Sequence, residues 1–369
     1  MRCDGANGRA EDGMSVDEET TVDMAVAELA SAEMDANGSS VGEAPMANPI
    51  ASEIEGLDVP VAEASASRRR GLLESPAFNK ALIVACALAW GFSFFVMKDV
   101  TAQFPVLWLL LVRFGLSALL MLACFWRRIC GNLCAPVVRT GVLLGVFYGL
   151  AYVFQTYGIV YTTPGKNAFL TGVYCALVPL CAWALGQGRP RRMSVVAAVV
   201  TLVGAGFVVL DQGLPLNVGD GLTLVGSVFY ALEMVVVARE GRDRDVWALT
   251  FWQFATVAVM MAAGHLLVET APSAASFTAG NVVALVFLAV VCSFGCLALL
   301  NYALTKVDPA AGSLLSSLES PSGVAFSVAF GYETLTPRLL AGFALIFLGI
   351  VLSEVGEKLV LMLPGRSRG

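Results

Sequence analysis

Charge is scarce in this chain: 14% of its 369 residues are Asp, Glu, Lys or Arg, where a soluble domain carries about 25%. Histidine is scarcer still, with His265 alone, so histidine-rich metal sites and HExxH hydrolase chemistry are excluded. There is no Gly-rich loop ending in Lys to cradle phosphates, and the loops are too short to hold an enzyme's loop-borne site. Nine cysteines do not form a disulfide framework, because Cys86, Cys124, Cys175, Cys181, Cys292 and Cys296 lie inside apolar runs, where cysteine behaves as a small hydrophobe. Cys130 and Cys134 sit four apart in a basic loop without a histidine, a weak basis for a metal site.

Hydrophobic residues make up 57% of the chain, and they are not spread evenly. Residues 1–66 hold 15 acidic residues against Arg2 and Arg9, a net charge of −13, while the remainder carries +7. The acidic head lacks the basic-then-apolar pattern of a signal peptide and reads as a disordered tail over 1–75. A bilayer core needs roughly 20 apolar residues per helix. Ten such runs are expected, at about 81–98, 106–126, 140–161, 166–186, 194–210, 221–238, 246–268, 282–304, 310–331 and 337–354. With the N-terminus in the cytoplasm, that side receives 17 basic residues and the opposite side only Lys98, Lys166 and Arg338. Basic loops stay cytoplasmic, so both termini are placed there. The basic loops are explained by topology alone and call for no nucleic-acid partner.

The chain repeats itself. Trp90-Gly91-Phe92-Ser93 matches Tyr230-Ala231-Leu232-Glu233 at an offset of 140, and the same offset places Arg113-Phe114 on Gln253-Phe254. A slightly larger offset brings Gly204 onto Gly349. The expected architecture is all-α and membrane-embedded, with five-helix repeats at 76–212 and 218–356 and a short cytoplasmic tail at 357–369. Five spans per half is an odd number, so the second half enters the membrane inverted, a scaffold for alternating access around a midplane site.

These stretches resemble the drug/metabolite transporter superfamily, specifically its ten-helix members with two EamA-type repeats. The resemblance is carried by WGFSFFVMK at Trp90–Lys98 followed by Arg113, by TTPGKNAFLTGVYCALVP at Thr162–Pro179 with Gly188–Pro190, and by SLLSSLESP at Ser313–Pro321 with GYETLTP at Gly331–Pro337. Here Glu319-Ser320-Pro321 splits the family's Glu-Pro pair, and Gly331-Tyr332-Glu333 splits its Gly-Glu pair. The resemblance implies a multi-pass protein of the cell membrane, without cofactor, that exports a small metabolite, amino acid or drug in exchange for protons, as monomer or homodimer. An intramembrane lipid-modifying enzyme or a channel-like facilitator are the alternatives.

Ionisable groups inside a membrane cost a few kcal/mol each and are functional candidates. Three stand out. Arg113, seven residues into its span, is a cation for a substrate carboxylate or half of a buried ion pair. Glu319, near the midplane with Pro321 just after it, is a proton-coupling site or a structural carboxyl. Glu233 shares the coupling role by its pseudo-symmetric place opposite Ser93, but lies near enough to the loop to pair with Arg239, the reading the sequence favours. Trp90, Gln155, Tyr174, Tyr230, Gln253 and Asn301 are expected to line the substrate cavity, with Tyr157 and Asn167 beside them. Gly141, Gly145 and Gly149 form a double GxxxG expected to seat a neighbouring helix of the same chain. His265 is expected at an interface.

Overall fold

A long apolar segment in lipid must satisfy every backbone N–H and C=O internally, which selects helix, and helix is what the chain forms. The structure is a computed structural model; it describes residues 75–186, 189–190, 192–209, 217–241, 244–304, 306–307, 312 and 315–362, with side chains from 354 onward and at 301 and 304 left out. The acidic tail expected over 1–75 lies outside the described residues, save Ser75, as does Gly188.

Helices run in the order α1 (Pro76–Thr101), α2 (Val106–Gly131), α3 (Ala135–Tyr161), α4 (Pro164–Gly172), α5 (Tyr174–Ala184), α6 (Arg192–Val209), α7 (Val218–Glu240), α8 (Val246–Val268), α9 (Ala279–Val286), a π-helical stretch (Phe287–Gly295), α10 (Cys296–Leu304), α11 (Glu319–Ala329) and α12 (Pro337–Met362). Among the described residues eight helices are long and apolar enough to cross a membrane, counting α4–α5 together and the run from Ala279 to Leu300 as one; Pro337–Ser353 is a shorter apolar helix. The protein is an all-α, multi-pass integral membrane protein. Leu119 and Val259, in the middle of α2 and α8, are 65% and 69% exposed, an outward apolar face that only lipid covers without cost.

Three departures from the expected runs have physical causes. Phe125 leaves helical geometry inside α2 (φ −119°, ψ 26°), where the apolar run gives way to Trp126-Arg127-Arg128. Pro179 cannot bond the Cys175 carbonyl within α5, and Ser353 Oγ donates to that carbonyl instead (3.3 Å). The expected span 310–331 appears as α11 over eleven residues, with 308–311 and 313–314 outside the described residues. Pro321 frees the Ser317 carbonyl, which Ser320 N takes up in a tighter turn (3.4 Å).

The repeat is visible in which helices touch. Pairing α1 with α7, α2 with α8, α3 with α9–α10, α4–α5 with α11 and α6 with α12, every extensive packing contact has its counterpart. The seams α2–α8, α4–α11 and α6–α12 map onto themselves; α3–α7 maps onto α10–α1, and α3–α8 onto the π stretch against α2. The double GxxxG seats α8 of the same chain: a Cβ on Gly145 would lie 2.5 Å from Thr256 Cβ and 2.7 Å from the Gln253 carbonyl, and one on Gly141 would lie 2.4 Å from Trp252 Cβ.

Candidate functional site

Arg113 is 3% exposed at the middle of the bundle. A guanidinium carries five donors and cannot shed its charge, so its partners define the site. Nε donates to Ser293 Oγ (2.7 Å) and Nη2 to Tyr152 Oη (3.3 Å), both neutral. The guanidinium carbon also stands 4.9 Å from the Tyr152 ring centroid and 5.5 Å from that of Phe114, within cation–π range. Tyr152 leads on to Tyr148, with hydroxyls 3.5 Å apart, and both rings meet Tyr230 edge-on at 5.7–5.8 Å. Tyr174 tilts against Tyr230 at 5.8 Å.

The polar groups around this cage link both halves of the chain. Tyr230 Oη donates to Gln155 Oε1 (2.8 Å), and Gln155 Nε2 donates to Thr171 Oγ1 (3.0 Å). Gln253 Nε2 donates to Glu233 Oε1 (3.0 Å). Glu233 is therefore not the loop-pairing residue the sequence favoured: it is 7% exposed, while Arg239 pairs with Glu240 (3.6 Å). The pseudo-symmetric place opposite Ser93 turns its carboxylate inward, away from the loop. Glu233 lies in electrostatic reach of Tyr148, and Glu319 in reach of both Arg113 and Tyr230. No ion pair joins Arg113 to a carboxylate among the described residues. Glu319 lines a cavity of about 20 Å³ with Thr171, Tyr174, Cys175, Ser316 and Ser317, room for about one water molecule.

The structure thus gathers Arg113, Gln155, Tyr174, Tyr230, Gln253, Glu233 and Glu319. Trp90 donates its indole N–H to the Cys292 carbonyl (2.6 Å), next to Ser293, the partner of Arg113. The Asn301 side chain lies outside the described residues. Asn167 stands beside the cage, its Nδ2 donating to the Gln155 carbonyl (3.1 Å) and to Thr223 Oγ1 (2.7 Å), whereas Tyr157 donates to Glu269 Oε1 (3.1 Å). Sequence reasoning missed Tyr148, Tyr152 and Ser293. The two tyrosines were findable: at i, i+4 they share a helix face, while Gly145 and Gly149 mark the seam with α8. Ser293 had no signal, because its direction depends on the π-helical stretch. Such stretches shift side-chain register and leave carbonyls free; here Cys292 O and Ala289 O accept from Trp90 and Ser117 (2.9 Å for the latter).

A second polar centre ties α8 to α2. Glu269 accepts from Leu107 N (2.9 Å) and Trp108 N (3.1 Å), two amides that α2 itself leaves unpaired, and from Tyr157 Oη. His265 Nδ1 lies 3.1 Å from its other side. His265 is thus a partner of Glu269 rather than a lone interfacial ring. Glu269→Ala is expected to lower unfolding free energy by about 1–2 kcal/mol, the worth of a helix N-cap; chemical denaturation in detergent against wild type reads it.

A third centre is the turn joining α3 to α4. Lys98 Nζ donates to the carbonyls of Ile159, Val160 and Thr162 (2.8–2.9 Å). Thr162 Oγ1 donates to Asp220 Oδ1 (2.5 Å) and Thr163 Oγ1 to Glu333 Oε1 (2.8 Å).

A profile of the EamA-like transporter family matches residues 80–210 and again 217–354. An uncharacterized transporter of Archaeoglobus fulgidus is 27% identical over 270 residues, covering 72% of this chain and 82% of that protein. The uncharacterized inner membrane transporter YedA of Escherichia coli K12 is 25% identical over 291 residues, covering 75% and 90%. A solved crystal structure superposes with a TM-score of 0.55 at 17% identity, over 76% of this chain and 98% of that one, a likeness of fold alone. Two family matches in tandem, falling on the two halves whose contacts mirror each other, place this membrane protein in the EamA-like transporter family.

Proposed function

We propose that the chain is a secondary active transporter that exports a small metabolite, amino acid or drug by alternating access, with protons as the coupling ion. Ten spans in two inverted halves, 76–212 and 218–356, would rock about the Arg113 cage with both termini in the cytoplasm. The observation that carries this reading is Arg113 itself: a permanent cation, buried at the junction of the halves, bonded only to two hydroxyls. Burying such a charge without a bonded anion is costly, and a site that holds one open has a use for it. A substrate carboxylate or phosphate would complete its fork, with Tyr148, Tyr152 and Tyr230 supplying flat walls.

Glu319 and Glu233 are the coupling groups of this reading. Each is a carboxyl within reach of the cage, and Glu319 opens on the small cavity. A proton taken up there would change the charge that a substrate meets beside Arg113 and so tie substrate binding to pH.

The test is a thermal-shift screen of the purified protein against amino acids, nucleobases, sugar phosphates and organic cations. A ligand at about 100 times its dissociation constant should stabilise the fold by about 2.7 kcal/mol. Expected hits are anionic or zwitterionic. In Glu319→Gln the response should persist but lose its dependence on pH. Stabilisation by organic cations alone would overturn the assignment of Arg113 to the substrate.

A further inference from the structure

The turn from Thr162 to Lys166 draws in two carboxylates from opposite directions, and neither belongs to the Arg113 cage. Asp220, on the first turn of α7, is fully buried, and Glu333, between α11 and α12, is 7% exposed. Each accepts one hydrogen bond, from Thr162 and Thr163 respectively. The second oxygen of each, Asp220 Oδ2 and Glu333 Oε2, is buried without a hydrogen bond of ordinary geometry among the described residues, and the Ser327 hydroxyl stands beside Glu333, close enough to act on its carboxyl. Glu333 Oε2 presses so close to α4 that a Cβ on Gly165 would lie 1.9 Å from it, with Ser327 Cβ 3.2 Å away. The two carboxylates lie within electrostatic reach of each other.

The charged groups around them do not neutralise the pair. Lys166 lies in reach of both but forms an ion pair with neither. Lys98 spends its ammonium on three carbonyls of the same turn. Asp99 is engaged by the Tyr332 hydroxyl. Two buried carboxylates with no ion pair disfavour being ionised together, because desolvation and mutual repulsion add. Glu333, which lies outside the membrane-spanning helices, is pushed above the ordinary carboxylate range by burial, against the opposing pull of Thr163, Ser327 and Lys166.

We propose that Asp220 and Glu333 form a proton-binding site at the Thr162–Lys166 turn, distinct from Glu319 and Glu233. Its role rests on the transport reading above. When this end of the bundle opens to water, both carboxylates are solvated and ionise. When it closes, the pair takes up one proton. Closing this end therefore binds a proton from the solution it faces, the side opposite the basic loops, and reopening releases it to that same side, so the pair makes closure of this end depend on the pH outside.

Infrared difference spectra of the full-length protein, recorded while pH is raised, read protonated carboxyls directly. The carboxyl band lost on raising pH should be smaller in both Glu333→Gln and Asp220→Asn than in wild type, what remains belonging to Glu319 and Glu233, while Glu319→Gln keeps the share of the Asp220–Glu333 pair. Persistence of the full band in both would overturn the site. If those variants do not fold, Thr163→Val keeps both carboxyls but removes a hydroxyl that favours the charged form; the band should then survive to higher pH, and an unmoved titration overturns the proposal. Bleaching of the band by sodium at fixed pH would overturn it in favour of a metal cation. Melting temperature gives a second reading. The native state holds a proton here that the unfolded chain releases, so the contribution is full at low pH and is lost as pH rises through the native value. Glu333→Gln should flatten that slope. Ligand screening without hits would sink the transport reading and leave the band in place, so the two failures are distinguishable.

Discussion

Replacing Arg113 by leucine is expected to leave the empty protein as stable as wild type, or more so, while abolishing stabilisation by anionic or zwitterionic ligands. The direction follows from what Arg113 touches. Its bonded partners are the Ser293 and Tyr152 hydroxyls, so its removal orphans no charge; two hydroxyls lose a donor, at about 1 kcal/mol each. Against that stands the desolvation of a guanidinium, several kcal/mol, which leucine does not carry. Stability traded for a site is the usual pattern where function demands a strained or charged interior. The opposite result discriminates just as well. A loss of about 3–5 kcal/mol, the cost of breaking a buried ion pair, reversed by adding Glu319→Gln, would make Arg113 the structural partner of Glu319. Lysine is not expected to restore ligand response, since a point charge cannot reproduce the fork.

The second large effect is steric. Gly145→Leu is expected to destabilise by about 3 kcal/mol or more, the upper end of overpacking costs, and to deplete folded protein on expression. Its Cβ would meet the Gln253 carbonyl at 2.7 Å, a backbone atom that cannot swing aside, and the longer side chain would wedge α3 from α8. Gly206, in α6, has nothing within 4 Å of its Cβ position, so Gly206→Leu is the matched control, expected near wild type. Thermal unfolding of the two variants side by side decides whether the Gly141–Gly149 face is a packing seam or an incidental run of small residues.

Much of this could be read before the structure, and the boundary has a physical basis. Apolar length fixes where helices run, so α1, α3 and α8 begin or end within a few residues of their expected bounds. An offset of 140 residues identified α2 and α8 as counterparts; that they also lie along each other is a finding of the structure. Glu319 and Arg113 were legible because ionisable groups are rare in lipid and therefore visible. What escaped was direction. Whether Glu233 points to Arg239 or to Gln253 depends on helix rotation, which composition does not encode. Ser293 reaches Arg113 only through a π-helical stretch, and VFLAVVCSFG gives no sign of one. Asp220, Glu269 and Glu333 sit near helix ends, where acidic residues are ordinary; what makes them unusual is burial, a property of the assembled bundle.

The contact pattern between halves bears on how the protein is made. Every extensive helix seam, from α6–α12 to α4–α11, joins a helix before residue 210 to one after residue 217. Five helices emerging first from the ribosome therefore have almost nothing to hold on to among themselves. Until the second half is present, Arg113 and the glycine face of α3 lack the partners they have in the folded chain. In its contacts this chain is closer to an assembly of two subunits than to a pair of self-contained domains, since each half finds its main partners in the other.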